Sequence, residues 1–123
     1  MKRVMVGGVF NVIHPGHIYF LKKAKEYGDY LIVVIATDKT AGRKALFPAK
    51  VRKEMIESLN FVDKVIIGDD RDQTKVIKKE KPDIVVLGYD QDMELENIPI
   101  KKIDRYLDYS TRDIVSKIKK RRN

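Results

Sequence analysis

Four short, unbroken apolar runs punctuate the chain: Val4 to Val6, Leu31 to Ala36, Val65 to Ile67 and Ile84 to Leu87, each bounded by charged or turn residues. Runs without polar alternation suit parallel strands buried on both faces. Helical spacing fills the intervals. His17 to Tyr27 places Leu21, Ala24 and Tyr27 on one side and stops at Gly28, a helix-ending residue. Val51, Met55, Ile56 and Leu59 form a second stripe, and Thr74 to Lys79 a short third helix. Strands alternating with helices require right-handed crossovers, so the expected architecture is a Rossmann-like, doubly wound parallel sheet, α/β, in one domain spanning residues 1–123. Beyond Gly88 the pattern weakens: Ile98 to Ile103 suggests an edge strand. Ser110-Thr111-Arg112-Asp113 has capping-box spacing for a last helix through Ile114, Val115 and Ile118.

Composition narrows the chemistry. The chain has 123 residues, 43% of them hydrophobic, enough for one continuous core. No apolar run approaches the roughly 18 residues of a membrane span, and Met1-Lys2-Arg3 leads into a strand rather than an export signal, so a cytoplasmic protein with no membrane partner is expected. With no cysteine, thiolate metal sites and cysteine nucleophiles are excluded. The net charge is +8, half of it from Lys119-Lys120-Arg121-Arg122, which points to a phosphate-rich partner. Nucleotides satisfy this; nucleic acid is not expected, because no recognition motif or aromatic stacking platform is evident.

In open α/β sheets ligands bind where strands end. Gly7-Gly8 follows the first strand and allows close approach of the backbone to a ligand; Pro15-Gly16 makes a tight turn into the first helix. The amides of a helix N-terminus attract phosphate. His14 and His17, the two histidines of the chain, sit at that turn and can donate to one anion as charge builds at phosphorus. Metal binding and plain helix capping are the competing readings of the pair. No cysteine or third histidine supports a metal, so none is assigned.

The segment Gly8-Val9-Phe10-Asn11-Val12-Ile13-His14-Pro15-Gly16-His17 resembles the GxFDxxHxGH signature of the cytidylyltransferase-like nucleotidyltransferases. The similarity continues through Gly28 to Asp38, Arg52, Val62 to Val65 and Pro82 to Asp90. A second signature of that family, RTxGIST, is matched by Arg105, Ser110 and Thr111, with Tyr106 and Asp108 replacing its Thr and Gly.

The resemblance implies direct attack of an acceptor phosphate on the α-phosphorus of a nucleoside triphosphate, with release of pyrophosphate. His14 and His17 would flank the reacting phosphates, aided by Lys44 and Arg105. Gly7, Gly8, Val9, Phe10, Asn11, Gly16, Asp90, Ser110 and Thr111 would hold the nucleotide. Asp38, Arg43 and Arg52 would contact the acceptor or its phosphate, since guanidinium groups clasp phosphate through paired hydrogen bonds. Magnesium would accompany the triphosphate. A homodimer is implied as well.

Two features bear on the substrate. Asn11 stands where the family signature has Asp, which leaves open a nucleotide-binding module of weakened catalysis; activity is expected nevertheless, since Asn and Asp both bond local backbone. Chain length and first half resemble glycerol-3-phosphate cytidylyltransferases, whereas Leu87-Gly88-Tyr89-Asp90-Gln91 resembles archaeal enzymes that adenylate flavin mononucleotide (FMN). Because the short chain leaves little room for a flavin pocket, the expectation is transfer of CMP from CTP to glycerol 3-phosphate, with FMN adenylylation from ATP as the alternative.

Overall fold

The computed structural model describes residues 1–72 and 74–104. Five parallel strands, β1 (Arg3–Gly8), β2 (Tyr30–Ile35), β3 (Lys64–Ile67), β4 (Ile84–Leu87) and β5 (Ile100–Lys102), form one sheet in the order β3-β2-β1-β4-β5. The helices are α1 (Pro15–Lys25), α2 (Asp38–Ala41), α3 (Ala49–Glu57) and α4 (Thr74–Glu80), with a 3-10 turn at Gly42–Lys44 after α2. The doubly wound α/β sheet is therefore as expected. Absent from the sequence reading are α2 and the 3-10 turn, too short to show a period. The anticipated helix after Ser110 lies outside the described residues.

Strand alternation separates two cores. Val4, Val6, Leu31, Val33, Ile35, Val65, Ile84 and Val86 face α1 and α3, where they meet Leu21, Ala24, Ala49 and Ile56. Met5, Ile32, Val85 and Leu87 face the other way, against Ile77 of α4. Because both faces are covered, apolar residues occupy consecutive positions, which explains the unbroken runs. Leu21 is wholly buried, and truncating such a leucine to alanine costs about 3 kcal/mol.

The junctions are tied by side chains far apart in sequence. Asp63 accepts from the Leu31 N–H at 2.7 Å and pairs with Lys25, tying the β3 approach to β2 and α1. Asp83 accepts from the Arg3 N–H at 2.7 Å, setting β4 beside β1. At Gly28 a Cβ would lie 2.6 Å from the Lys2 carbonyl oxygen, so only glycine lets the chain turn this tightly beneath β1. The strand order reverses direction at β1, between β2 and β4, and the crevice at the carboxyl ends there is where such sheets bind ligands.

Candidate active site

The site begins where β1 ends. A Cβ on Gly8 would come within 2.9 Å of the Phe10 ring; without one, the chain folds back through a left-handed Phe10 (φ 51°) and buries that ring in the α1-side core. The edge of Phe10 then meets His17, with ring centroids 5.4 Å apart.

His14 is the N-cap of α1. Its extended backbone (φ −139°, ψ 172°) turns the side chain back so that Nδ1 accepts from the Gly16 N–H at 3.0 Å, and Pro15 takes the first helical position, where no amide hydrogen is needed. The cap decides the tautomer: with Nδ1 accepting, the neutral ring carries its proton on Nε2 and can donate from there. The His17 ring stacks on His14 at 3.9 Å, tilted by 27°. The first turn of α1 holds no acidic residue and the last holds Lys22, Lys23 and Lys25; the amide end is left without a competing anion.

Burial holds the His14 imidazole below its ordinary value. His17 is lowered further, from 6.5 to about 4, by burial first and then by repulsion from a charged His14 ring, with the Val12 carbonyl opposing weakly. That carbonyl does not complete a hydrogen bond of ordinary geometry, and the buried Nδ1 of His17 has no partner among the described residues. Near neutral pH both rings are therefore uncharged donors. An arriving phosphate finds hydrogen bonds and helix amides here, and its own charge favours protonation of the pair.

Behind this turn lies a scaffold that corrects two expected roles. Arg52 is fully buried: its Nε donates to the Phe47 carbonyl, NH1 to the Val9 carbonyl and NH2 to Asp38 Oδ1, at 2.9, 2.9 and 3.0 Å. A guanidinium so committed holds the β1 loop rather than a ligand phosphate. Asp38 Oδ1 also accepts from the Ala49 N–H at 2.8 Å, capping α3, whose own N-cap, Pro48, offers no side-chain acceptor. Neither Asp38, Arg43 nor Arg52 lines the cleft; Arg43 is exposed on the 3-10 turn that Lys44 ends. Asn11 lines the cleft and accepts from the Leu46 N–H at 2.7 Å, a task a carboxylate oxygen performs equally well.

The opposite lip comes from the end of β4. Gln91 bridges the two strands: its Oε1 accepts from the Gly88 N–H at 2.8 Å and its Nε2 donates to the Gly7 carbonyl at 3.0 Å. In the sequence this residue stands out only as the end of the Leu87-Gly88-Tyr89-Asp90-Gln91 string, with no role in the site, although it lies just past a strand end, where such a side chain can span the crevice. Thr37 was missed as well; it caps α2 by accepting from the Thr40 N–H at 3.0 Å, and both threonines line the cleft.

Among the described residues, His14 and His17 share the cleft with Gly7, Gly8, Val9, Phe10, Asn11, Gly16 and Asp90. Arg105, Ser110 and Thr111 lie outside the described residues. The described residues leave a cleft of about 1380 Å³, above the about 300–1,000 Å³ usual for a single ligand. Among the described residues, the anticipated shortage of room for a flavin is not observed. Among the described residues no group of three or more acidic or histidine side chains is placed to hold a metal ion, and no helix is long and apolar enough to cross a membrane.

The cytidylyltransferase-like family matches residues 5–121. The FAD synthase of Picrophilus torridus is 48% identical over 76% of this chain and 72% of its own length. That of Pyrococcus horikoshii is 46% identical over 80% of this chain and 70% of its own. Among solved structures, the lipopolysaccharide core biosynthesis protein from Thermoplasma volcanium is 38% identical with a TM-score of 0.82, over 86% of this chain and 98% of that one. Relatives named FAD synthase at this identity overturn the expected CMP transfer from CTP to glycerol 3-phosphate. That expectation rested on chain length and the first half of the sequence, which describe the shared phosphate-handling scaffold and not the acceptor. With His14 capping a helix at the strand crossover, His17 stacked on it, and a family match over nearly its whole length, the chain belongs to the cytidylyltransferase-like family and is a nucleotidyltransferase.

Proposed function

We propose that this protein is an FMN adenylyltransferase, forming FAD and pyrophosphate from ATP and FMN. The observation that carries the reading is the 46–48% identity to FAD synthases over most of the chain. The cleft volume supports it, since ATP and FMN must bind side by side.

In this reaction a terminal phosphate oxygen of FMN attacks the α-phosphorus of ATP. One oxygen–phosphorus bond forms, the bond from the α-phosphorus to the bridging oxygen breaks, and pyrophosphate leaves with its electron pair. Catalysis then consists of alignment and of donors placed where negative charge grows. Nε2–H of His14 and the His17 ring donate to non-bridging oxygens, and the first amides of α1 add their dipole. Lys44 and Arg105 neutralise phosphate charge, Ser110 and Thr111 hold the outer phosphates, and the Gly8 to Asn11 backbone with Asp90 holds the nucleoside. Gly16, as the second helical residue, keeps the amide end unobstructed. Magnesium would accompany the ATP, held mostly by phosphate oxygens and water as is usual for this ion, since no group of three or more acidic or histidine side chains among the described residues is placed to hold it; when bound it would screen the triphosphate charge. The working assembly is a homodimer, which sedimentation at assay concentration tests.

The deciding assay pairs ATP or CTP with FMN or glycerol 3-phosphate and measures pyrophosphate and FAD. ATP with FMN is expected to yield FAD. Absence of FAD under conditions where ATP binds overturns the reading and favours a nucleotide-binding module without turnover.

A further inference from the structure

The cleft has a second half that the phosphate chemistry leaves unused. Val4 and Val6 face α1, so alternation turns Met5 and Gly7 toward α4. Val65 and Ile66 divide in the same way, and the ladder continues with the Gly68 N–H donating to the Ile35 carbonyl at 2.9 Å, which turns Gly68 toward α4 too. Val34 lies between them, paired with Gly7 and with Ile66. The carboxyl edge of this face is thus a floor of one valine flanked by two residues without side chains.

The chain's own packing does not demand glycine at position 7, and a side chain at position 68 needs only that Val34 give by a few tenths of an ångström. Neither glycine has a positive φ. A Cβ at Gly7 would meet only ordinary contacts, 3.6 and 3.9 Å from Val34 atoms, and one at Gly68 would stand 3.3 Å from Val34 Cγ1. At Gly8 and Gly28, by contrast, a Cβ would come within 2.9 and 2.6 Å of protein atoms. Val76 of α4 and Met93, from the segment between β4 and β5, wall the floor, and both line the cleft. The result is a low, mainly apolar surface that shares one cleft with the histidine turn across the end of β1.

We propose that the flat heteroaromatic ring of the acceptor, the isoalloxazine of FMN, lies on the Gly7–Val34–Gly68 floor between Val76 and Met93, with its phosphate arm crossing the end of β1 to His14 and His17. The proposal rests on the FMN adenylyltransferase reading. It divides the cleft by chemistry: directed polar donors for the phosphates on the α1 side, apolar area for the ring on the α4 side.

Two measurements test it. The chain has four methionines, so methyl-labelled methionine spectra of the intact wild-type protein are simple to read. Riboflavin, which carries the ring without the phosphate, is expected to shift the Met93 signal and leave Met55, on α3, unmoved. A shift produced by adenosine and not by riboflavin overturns the assignment. In steady-state assays Val76→Asp and Gly68→Val are expected to raise KM for FMN about tenfold or more, with KM for ATP changed less than about twofold. If the wild type makes FAD while both variants keep its KM for FMN, the ring subsite is refuted and the adenylyltransferase reading stands. If the wild type makes no FAD, it is the reading that fails.

Discussion

On the α1 side of the cleft, polar groups are fixed by partners: the Gly16 N–H donates to His14 Nδ1, the Leu46 N–H to Asn11 Oδ1, and Arg52 to the Val9 carbonyl. On the α4 side the surface is Val34, Val76 and Met93 around two bare glycines. Charge that develops on a phosphate is stabilised by donors fixed before the reaction, since reorienting them would cost free energy during the step. A ring needs only area and shape. One sheet end can serve both because strand alternation sends successive residues to opposite faces.

The sharpest test removes one donor from the fixed side. His17→Ala is expected to lower kcat by about 10²–10³-fold, measured as pyrophosphate release, with an unchanged circular dichroism spectrum. A loss below about threefold would detach the histidine pair from catalysis. Arg52→Met strikes the scaffold behind that side. It leaves the Val9 and Phe47 carbonyls and Asp38 without their donor, and is expected to cost about 3–4 kcal/mol in urea unfolding. Because Arg52 is fully buried and does not line the cleft, any loss of activity should recover when ligand concentration and temperature restore the folded population.

The same polar side should respond to acid. The folded-state pKa of His17 is about 4, against an ordinary 6.5. Between these values the unfolded chain takes up a proton that the folded chain refuses, so stability is lost as pH falls from 6.5 toward 4 and is flat above 7. Allowing for its partial exposure, the loss is roughly 2 kcal/mol, measured by urea titrations at pH 7 and pH 4.5. His17→Phe should flatten that slope. The smallest effect is expected at Asn11→Asp, where the Leu46 amide keeps an acceptor: turnover should stay within about threefold, and a hundredfold rise would show that Asn11 disables the site.

Ile84 to Leu87 was legible as a strand to the residue, because burial on both faces leaves a continuous apolar run. Helix α1 begins at Pro15, two residues before its apolar spacing starts, since the cap and the first turn carry no hydrophobic signal. Arg52 was legible as part of a family pattern but not as a buried clamp: motif register does not say which way a guanidinium points. Gln91 was hidden for a related reason, its partner Gly7 being 84 residues away.

Local order along the chain was thus set by sequence alone: apolar runs make strands, spacing makes helices, and the histidine-proline-glycine turn makes a phosphate-binding helix start. Tertiary structure decided what those pieces face. Which glycine is bare for packing and which is bare toward open space, which arginine is sealed, and how wide the crevice stands all depend on contacts between distant segments, which no local pattern encodes.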